Sequence, residues 1–189
     1  MRPLLPAAFF AAILLCASGC AHSRWSAKTL ADGVPIAASP VVGTVVELRA
    51  LPRPQGVDAF NATRVSQERV VYRLRAVLLR FTLASDGDIH LAIAQPGEPA
   101  ATVIAEIPDP ARMTGAPDRY RNQVTQARRG FIQTFGTPTN VWKEVDRAVV
   151  LTGPIFYDYR HGQVGGKFAG AESGIEIHPV LSIAPAGKT

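Results

Sequence analysis

The chain opens with an apolar run from Leu4 to Cys16 behind a short positive segment, Met1 and Arg2 with the amino terminus. A transmembrane helix takes roughly twenty apolar residues to cross a ~30 Å hydrocarbon core. This run is shorter and has the length of the apolar centre of a secretory signal. Residues 21–40 are small and polar and are interrupted by Pro35 and Pro40, the composition of a tether. Val41–Arg49 is β-branched and reads as a first strand, and Pro52, Pro54 and Gly56 open a loop over 51–66. Between Arg69 and Leu83, apolar Val70, Tyr72, Leu74, Ala76 and Leu78 alternate with Arg69, Arg73 and Arg75. Further on, the apolar set becomes Val77, Leu79, Phe81 and Leu83. A long strand that changes its buried face predicts a bulge or sharp bend that lets it serve two sheets.

Ser85-Asp86-Gly87 is a tight-turn sequence, and strands are expected over Asp88–Ala94 and Thr102–Ile107. Asp118 stands where a helix cap would. Tyr120, Val124, Ala127, Phe131 and Phe135 recur every three to four residues, with Gly136 as a stop. Arg147–Tyr159 and Gly174–Ile183 are the closing strands. A long bent strand, a two-strand meander, a helix and two further strands follow the order of an OB-fold, a five-stranded Greek-key barrel. Val41–Arg49 would be an extra N-terminal strand, giving a mainly β domain with one helix over 41–184 and a tail over 185–189. An α+β sandwich could be built from the same elements.

Composition restricts the function more than the fold. The chain has 189 residues, 20 Lys and Arg against 15 Asp and Glu, and a net charge of +5. Removing the signal takes away only Arg2, so the mature chain is modestly basic. Cysteine occurs only at positions 16 and 20, which leaves the domain without a disulfide. Ala17-Ser18-Gly19-Cys20 resembles the lipobox of bacterial lipoproteins, with Ala17 where Leu is more usual. The resemblance implies a signal peptide over 1–19, acylation of Cys20 and a lipidated tether over 20–40. Ala21 rather than Asp after the cysteine implies an outer-membrane address facing the periplasm. Ordinary signal cleavage near Ala21 is the alternative.

The candidate chemistry lies in three histidine segments, Asp86-Gly87-Asp88-Ile89-His90, His161-Gly162-Gln163 and Glu176-Ile177-His178. Alternation pairs Asp88 with His90 and Glu176 with His178 on single strand faces, while Glu106 stands between apolar Ala105 and Ile107. His90, His161 and His178 with Asp88 and Glu176 could ligate Zn²⁺ or a similar ion. Glu106 or a histidine could serve as a general base, with Asp86 and Gln163 as accessory polar groups. No HExxH spacing is present, and the same residues suit the polar faces of half-exposed strands. Nucleic-acid binding is disfavoured because the two meander strands carry no aromatic stacking platform.

The stretches Asp86–Ile93, Ile104–Pro110, Phe156–Gln163 and Gly174–Ile183 resemble a family of small secreted bacterial proteins of unknown function. The likeness implies export and a small β-rich domain but no activity. The chain departs from the family at Ala111, where members often carry Cys, and over Val164–Ser173, which is Gly-rich here. The leading expectation is a non-enzymatic envelope lipoprotein whose barrel binds a small ligand, an ion or an envelope partner. The alternative is a metal-dependent hydrolase, phosphodiesters being one substrate class, built on the His and carboxylate residues named above.

Overall fold

The computed structural model describes residues 24–58, 63–159 and 170–187. Its elements are α1 (Trp25–Lys28), β1 (Val41–Gly43), α2 (Val45–Ala50), β2 (Val71–Leu83), β3 (Ile89–Gln95), β4 (Glu98–Ile107), α3 (Asp118–Phe135), β5 (Lys143–Tyr157), β6 (Ile175–Ile177) and β7 (Ser182–Pro185). Five strands close a ring in the order β2-β3-β4-β6-β5 and back to β2. Only the β4–β6 contact within that ring is parallel. With α3 between the third and fourth ring strands, this is the OB-type barrel, and closure of the ring excludes the open sandwich. β1 is the extra strand, added parallel to β2 outside the ring.

The bend expected in the long strand is a bulge at Leu79. Leu78 pairs with Ile93 and Arg80 with Ala92, leaving Leu79 as the extra residue. Leu74, Ala76 and Leu78 face the core before the bulge and Phe81 after it, so the even-numbered face gives way to an odd one. β2 can therefore pair with β5 along most of its length and with β3 over its second half. The helix spans the predicted residues and buries the predicted stripe, Tyr120, Val124, Ala127, Phe131 and Phe135. Phe131 meets Phe81 edge-to-face at 4.9 Å between centroids, and Gly136 ends the helix at a φ of 94°. Pro117 occupies the cap position, which places Asp118 in the first turn.

Three expectations are corrected. Residues 21–40 are not a tether from Arg24 onward. The Arg24 guanidinium is buried, donates to both oxygens of Glu68 and to the carbonyls of Thr63 and Tyr157, and lies 4.9 Å from the Phe156 ring centre. Ala27, Lys28, Thr29 and Leu30 are buried behind it, so the folded body begins seventeen residues before the boundary at Val41. Second, Val41–Arg49 is not one strand. Thr44 and Glu47 form a reciprocal capping box, and the chain turns from β1 into α2; that local pairing overrides the β-branched composition. Third, Gly174–Ile183 is two short strands separated by a cis His178–Pro179 bond, and β7 runs on into the expected tail. The strands β4 and β5 also begin four residues earlier than expected, at Glu98 and Lys143.

The strand break lets the chain around Pro179 cross over Gly153 of β5. A Cβ at Gly153 would lie 2.4 Å from the Pro179 carbonyl oxygen and 2.7 Å from Ile177 Cγ2, and the nearer of these is backbone. Gly153→Ala is therefore expected to destabilise the fold by about 1–3 kcal/mol through overpacking, read as a lowered urea midpoint. An unchanged midpoint would mean that β6 and its flanking turn are free to shift.

Candidate functional site

The ring strands bring together polar groups that the sequence scatters over ninety residues. β3 and β4 are in antiparallel register with His90 opposite Glu106, and His90 Nε2 lies 2.6 Å from Glu106 Oε1. β6 lies parallel to β4, and the residue just past its end, His178, is fully buried. His178 Nε2 is 3.2 Å from Glu106 Oε2 and 3.3 Å from Asp88 Oδ2. Its Nδ1 is 2.9 Å from the carbonyl oxygen of Lys28. A carbonyl only accepts, so Nδ1 carries a proton and donates it.

α1 supplies the cation. Lys28 Nζ lies 2.9 Å from Glu106 Oε2, 3.2 Å from Asp158 Oδ2 and 3.6 Å from Glu176 Oε1. Asp88 is held from behind, its Oδ1 accepting from the Asp109 N–H at 3.1 Å. Among the described residues, the cluster's side chains are buried except His90 at 32% and Asp158 at 30% exposure.

The electrostatics divide the groups by their partners. Burial favours the neutral form of Glu106, but Lys28, His178 and His90 outweigh it and hold the carboxyl well below its usual range. Burial and the neighbouring Glu106 push Glu176 well above that range, against Lys28. Asp88 is lowered because its hydrogen bond to His178 overcomes desolvation. Lys28 resists desolvation through Glu176, Glu106 and Asp158 and sits well above its ordinary value. His178 is raised by Asp88 and Glu106 in spite of burial and the Lys28 charge. His90 is raised by Glu106 against its own desolvation. Among the described residues, the acidic side chains of Glu106, Asp88, Asp158 and Glu176 thus meet around one ammonium, that of Lys28, and two imidazoles drawn toward their protonated form.

The geometry sorts the sequence candidates. His90, His178, Asp88, Glu106 and Glu176 share this cluster. The within-segment pairings expected for them are replaced by cross-strand ones: His90 engages Glu106 rather than Asp88, and His178 engages Asp88 and Glu106 rather than Glu176. Asp86 belongs to the turn, where its side chain accepts from the Asp88 N–H and its carbonyl from Arg112. His161, Gln163 and Cys20 lie outside the described residues. Lys28 and Asp158 were not anticipated. Lys28 sits in a stretch that reads as linker, and its only signal is indirect: Glu106 and Glu176, each between apolar neighbours, require a cation if both are buried.

No family model, curated protein or solved structure matches the chain. Among the described residues no helix is long and apolar enough to cross a membrane.

The shifts fix a pH response. Glu176, His90 and His178 bind their protons more tightly in the folded chain, so the stability they contribute is complete below their unfolded values. It is lost as pH rises through the higher folded values. Asp88 and Glu106 act oppositely, losing their contribution only as pH falls through their lowered values in strong acid. The urea midpoint, measured with chelator present, is expected to fall as pH rises above the ordinary glutamate value of 4.5 and histidine value of 6.5, and Glu176→Gln should flatten the lower part of that fall. A midpoint that climbs instead would contradict the assignment.

Proposed function

We propose that the chain is an exported envelope lipoprotein, acylated at Cys20, whose barrel binds a cationic ligand at the Asp88–Glu106–His178 cluster and performs no chemistry on it. The observation carrying this reading is the convergence of two buried carboxylate oxygens and an imidazole nitrogen, Asp88 Oδ2, Glu106 Oε2 and His178 Nε2, within 4.8 Å of one another; among the described residues of the cluster, His90 and Asp158 are the side chains that reach solvent. Burial strengthens the pull of these carboxylates, because charges in a low-dielectric interior are poorly screened. An anion would be repelled by Asp88 and Glu106, whereas a cation would be held between them. The lipid anchor is supported by the Ala17-Ser18-Gly19-Cys20 sequence and by the absence of any other cysteine beyond Cys16. Only three residues would then separate the acylated cysteine from buried Arg24, so such an anchor would hold the barrel close to the bilayer.

A second reading, the metal-dependent hydrolase, draws on the His90–Glu106 pair. A partly exposed imidazole 2.6 Å from a buried carboxylate is the form of an acid–base dyad. It would show itself as metal-dependent turnover of an activated phosphodiester that is lost in His90→Ala.

Two measurements test the leading reading. Labelling with a radioactive fatty acid should mark the wild-type chain and not Cys20→Ser; equal labelling would remove the anchor. Thermal unfolding against a panel of metal ions, polyamines and small anions should show stabilisation by cations alone. At a hundredfold excess over Kd the gain is expected to be about 2.7 kcal/mol, or roughly 5–10 °C in Tm. Stabilisation by anions alone, or cation effects that persist in Asp88→Asn, would overturn the binding site.

A further inference from the structure

The geometry points to a divalent metal ion of the zinc class as the cation, bound directly by Asp88 Oδ2, Glu106 Oε2 and His178 Nε2. This inference rests on the binding reading above and names its ligand.

The three atoms lie within 4.8 Å of one another, and the two separations from Nε2 are 3.2 and 3.3 Å. Metal bonds of about 2.0 Å in a tetrahedral site give ligand–ligand edges of roughly 3.3 Å, so these separations already suit a shared ion. The hydrogen-bond directions agree. Each ligand is fastened through its far atom: His178 Nδ1 by the Lys28 carbonyl at 2.9 Å, Asp88 Oδ1 by the Asp109 N–H at 3.1 Å, and Glu106 Oε1 by His90 at 2.6 Å. That is the outer layer that orients metal ligands and fixes an imidazole tautomer. With Nδ1 protonated, a neutral ring presents the Nε2 lone pair to two carboxylate oxygens, an arrangement that needs a positive charge between them. A proton could fill that place, but it would leave Glu106 Oε2 as it stands, buried with ion-pair neighbours and no hydrogen bond of good geometry.

The donor set is one imidazole and two carboxylates without sulfur. An imidazole suits zinc and its first-row neighbours better than calcium or magnesium, which take oxygen alone. Lys28 Nζ, 2.9 Å from Glu106 Oε2, competes for the same oxygen, so the lysine sets the affinity by charge competition.

The test uses Co²⁺ as a spectroscopic probe on the purified full-length chain, each variant first checked for cooperative unfolding. One equivalent should bind with the visible bands of a four-coordinate nitrogen–oxygen site and be displaced by Zn²⁺. His90→Ala, at a partly exposed position, should weaken binding about 10–100-fold by loosening Glu106. Asp88→Asn should abolish the bands, and Lys28→Met should tighten binding by removing the competitor. Failure of both the wild-type chain and Lys28→Met to retain Co²⁺ overturns the metal assignment, as does uptake indifferent to Asp88→Asn. If polyamines still raise Tm when metal does not bind, the cation-binding reading survives without this inference; if neither acts, both fall.

Discussion

A carboxylate sealed inside a protein must be balanced by positive charge, and the interior of this barrel is organised around balancing Glu106. Every element of the ring's polar end reaches it: β3 through His90, the end of β6 through His178, and the N-terminal α1 through Lys28. An ionised carboxylate without these partners would cost several kcal/mol of desolvation. The network is thus a condition for closing the ring with Glu106 charged. Glu176, without comparable support, is pushed toward its neutral form by burial and by Glu106. Two glutamates on neighbouring parallel strands are shifted in opposite directions because one lies where cations converge and the other beside it.

The N-terminal segment is held by a second buried carboxylate that works in the same way. Glu68 accepts from Arg24, from the Val65 N–H and from the Tyr157 N–H, tying α1, the turn before β2 and the end of β5 together. Arg64 adds bonds to the carbonyls of Ala27 and Glu68. Around these joints the apolar core is continuous, running from Leu30 and Val45 through Leu74, Ile89, Val103 and Leu151 to Val124 and Phe131. Burial supplies the bulk of the stability, while the two carboxylates determine where the N-terminal segment is placed.

Much of the barrel was legible in the sequence because its signals are periodic. The helix over 118–135 was read from a stripe at spacings of three to four, and the bulge in β2 from an exchange of even for odd apolar positions. The failures have specific causes. Val41–Arg49 looked like a strand because β-branched residues dominate it, yet Thr44 and Glu47 carry a capping signature that could have been weighed against them. The segment from Arg24 to Leu30 looked like slack because small residues are common in linkers; its burial depends on partners at Glu68, Glu106 and Tyr157 that lie far along the chain. The same limit applied to the site. Glu106, Asp88, His90 and His178 could be singled out as polar residues in apolar strands, but cross-strand register decides who meets whom. No spacing within a segment encodes the contact of His178 with a carbonyl 150 residues earlier.

That last contact ties the site mechanically to the start of the chain. Lys28 offers its carbonyl to orient His178 and its ammonium to neutralise Glu106, and it lies eight residues after Cys20. Tension on the N-terminus strong enough to lift α1 would release the imidazole and bare the carboxylate in one movement. One residue thus carries both restraints, so the placement of α1 and the charge balance of the cluster stand or fall together.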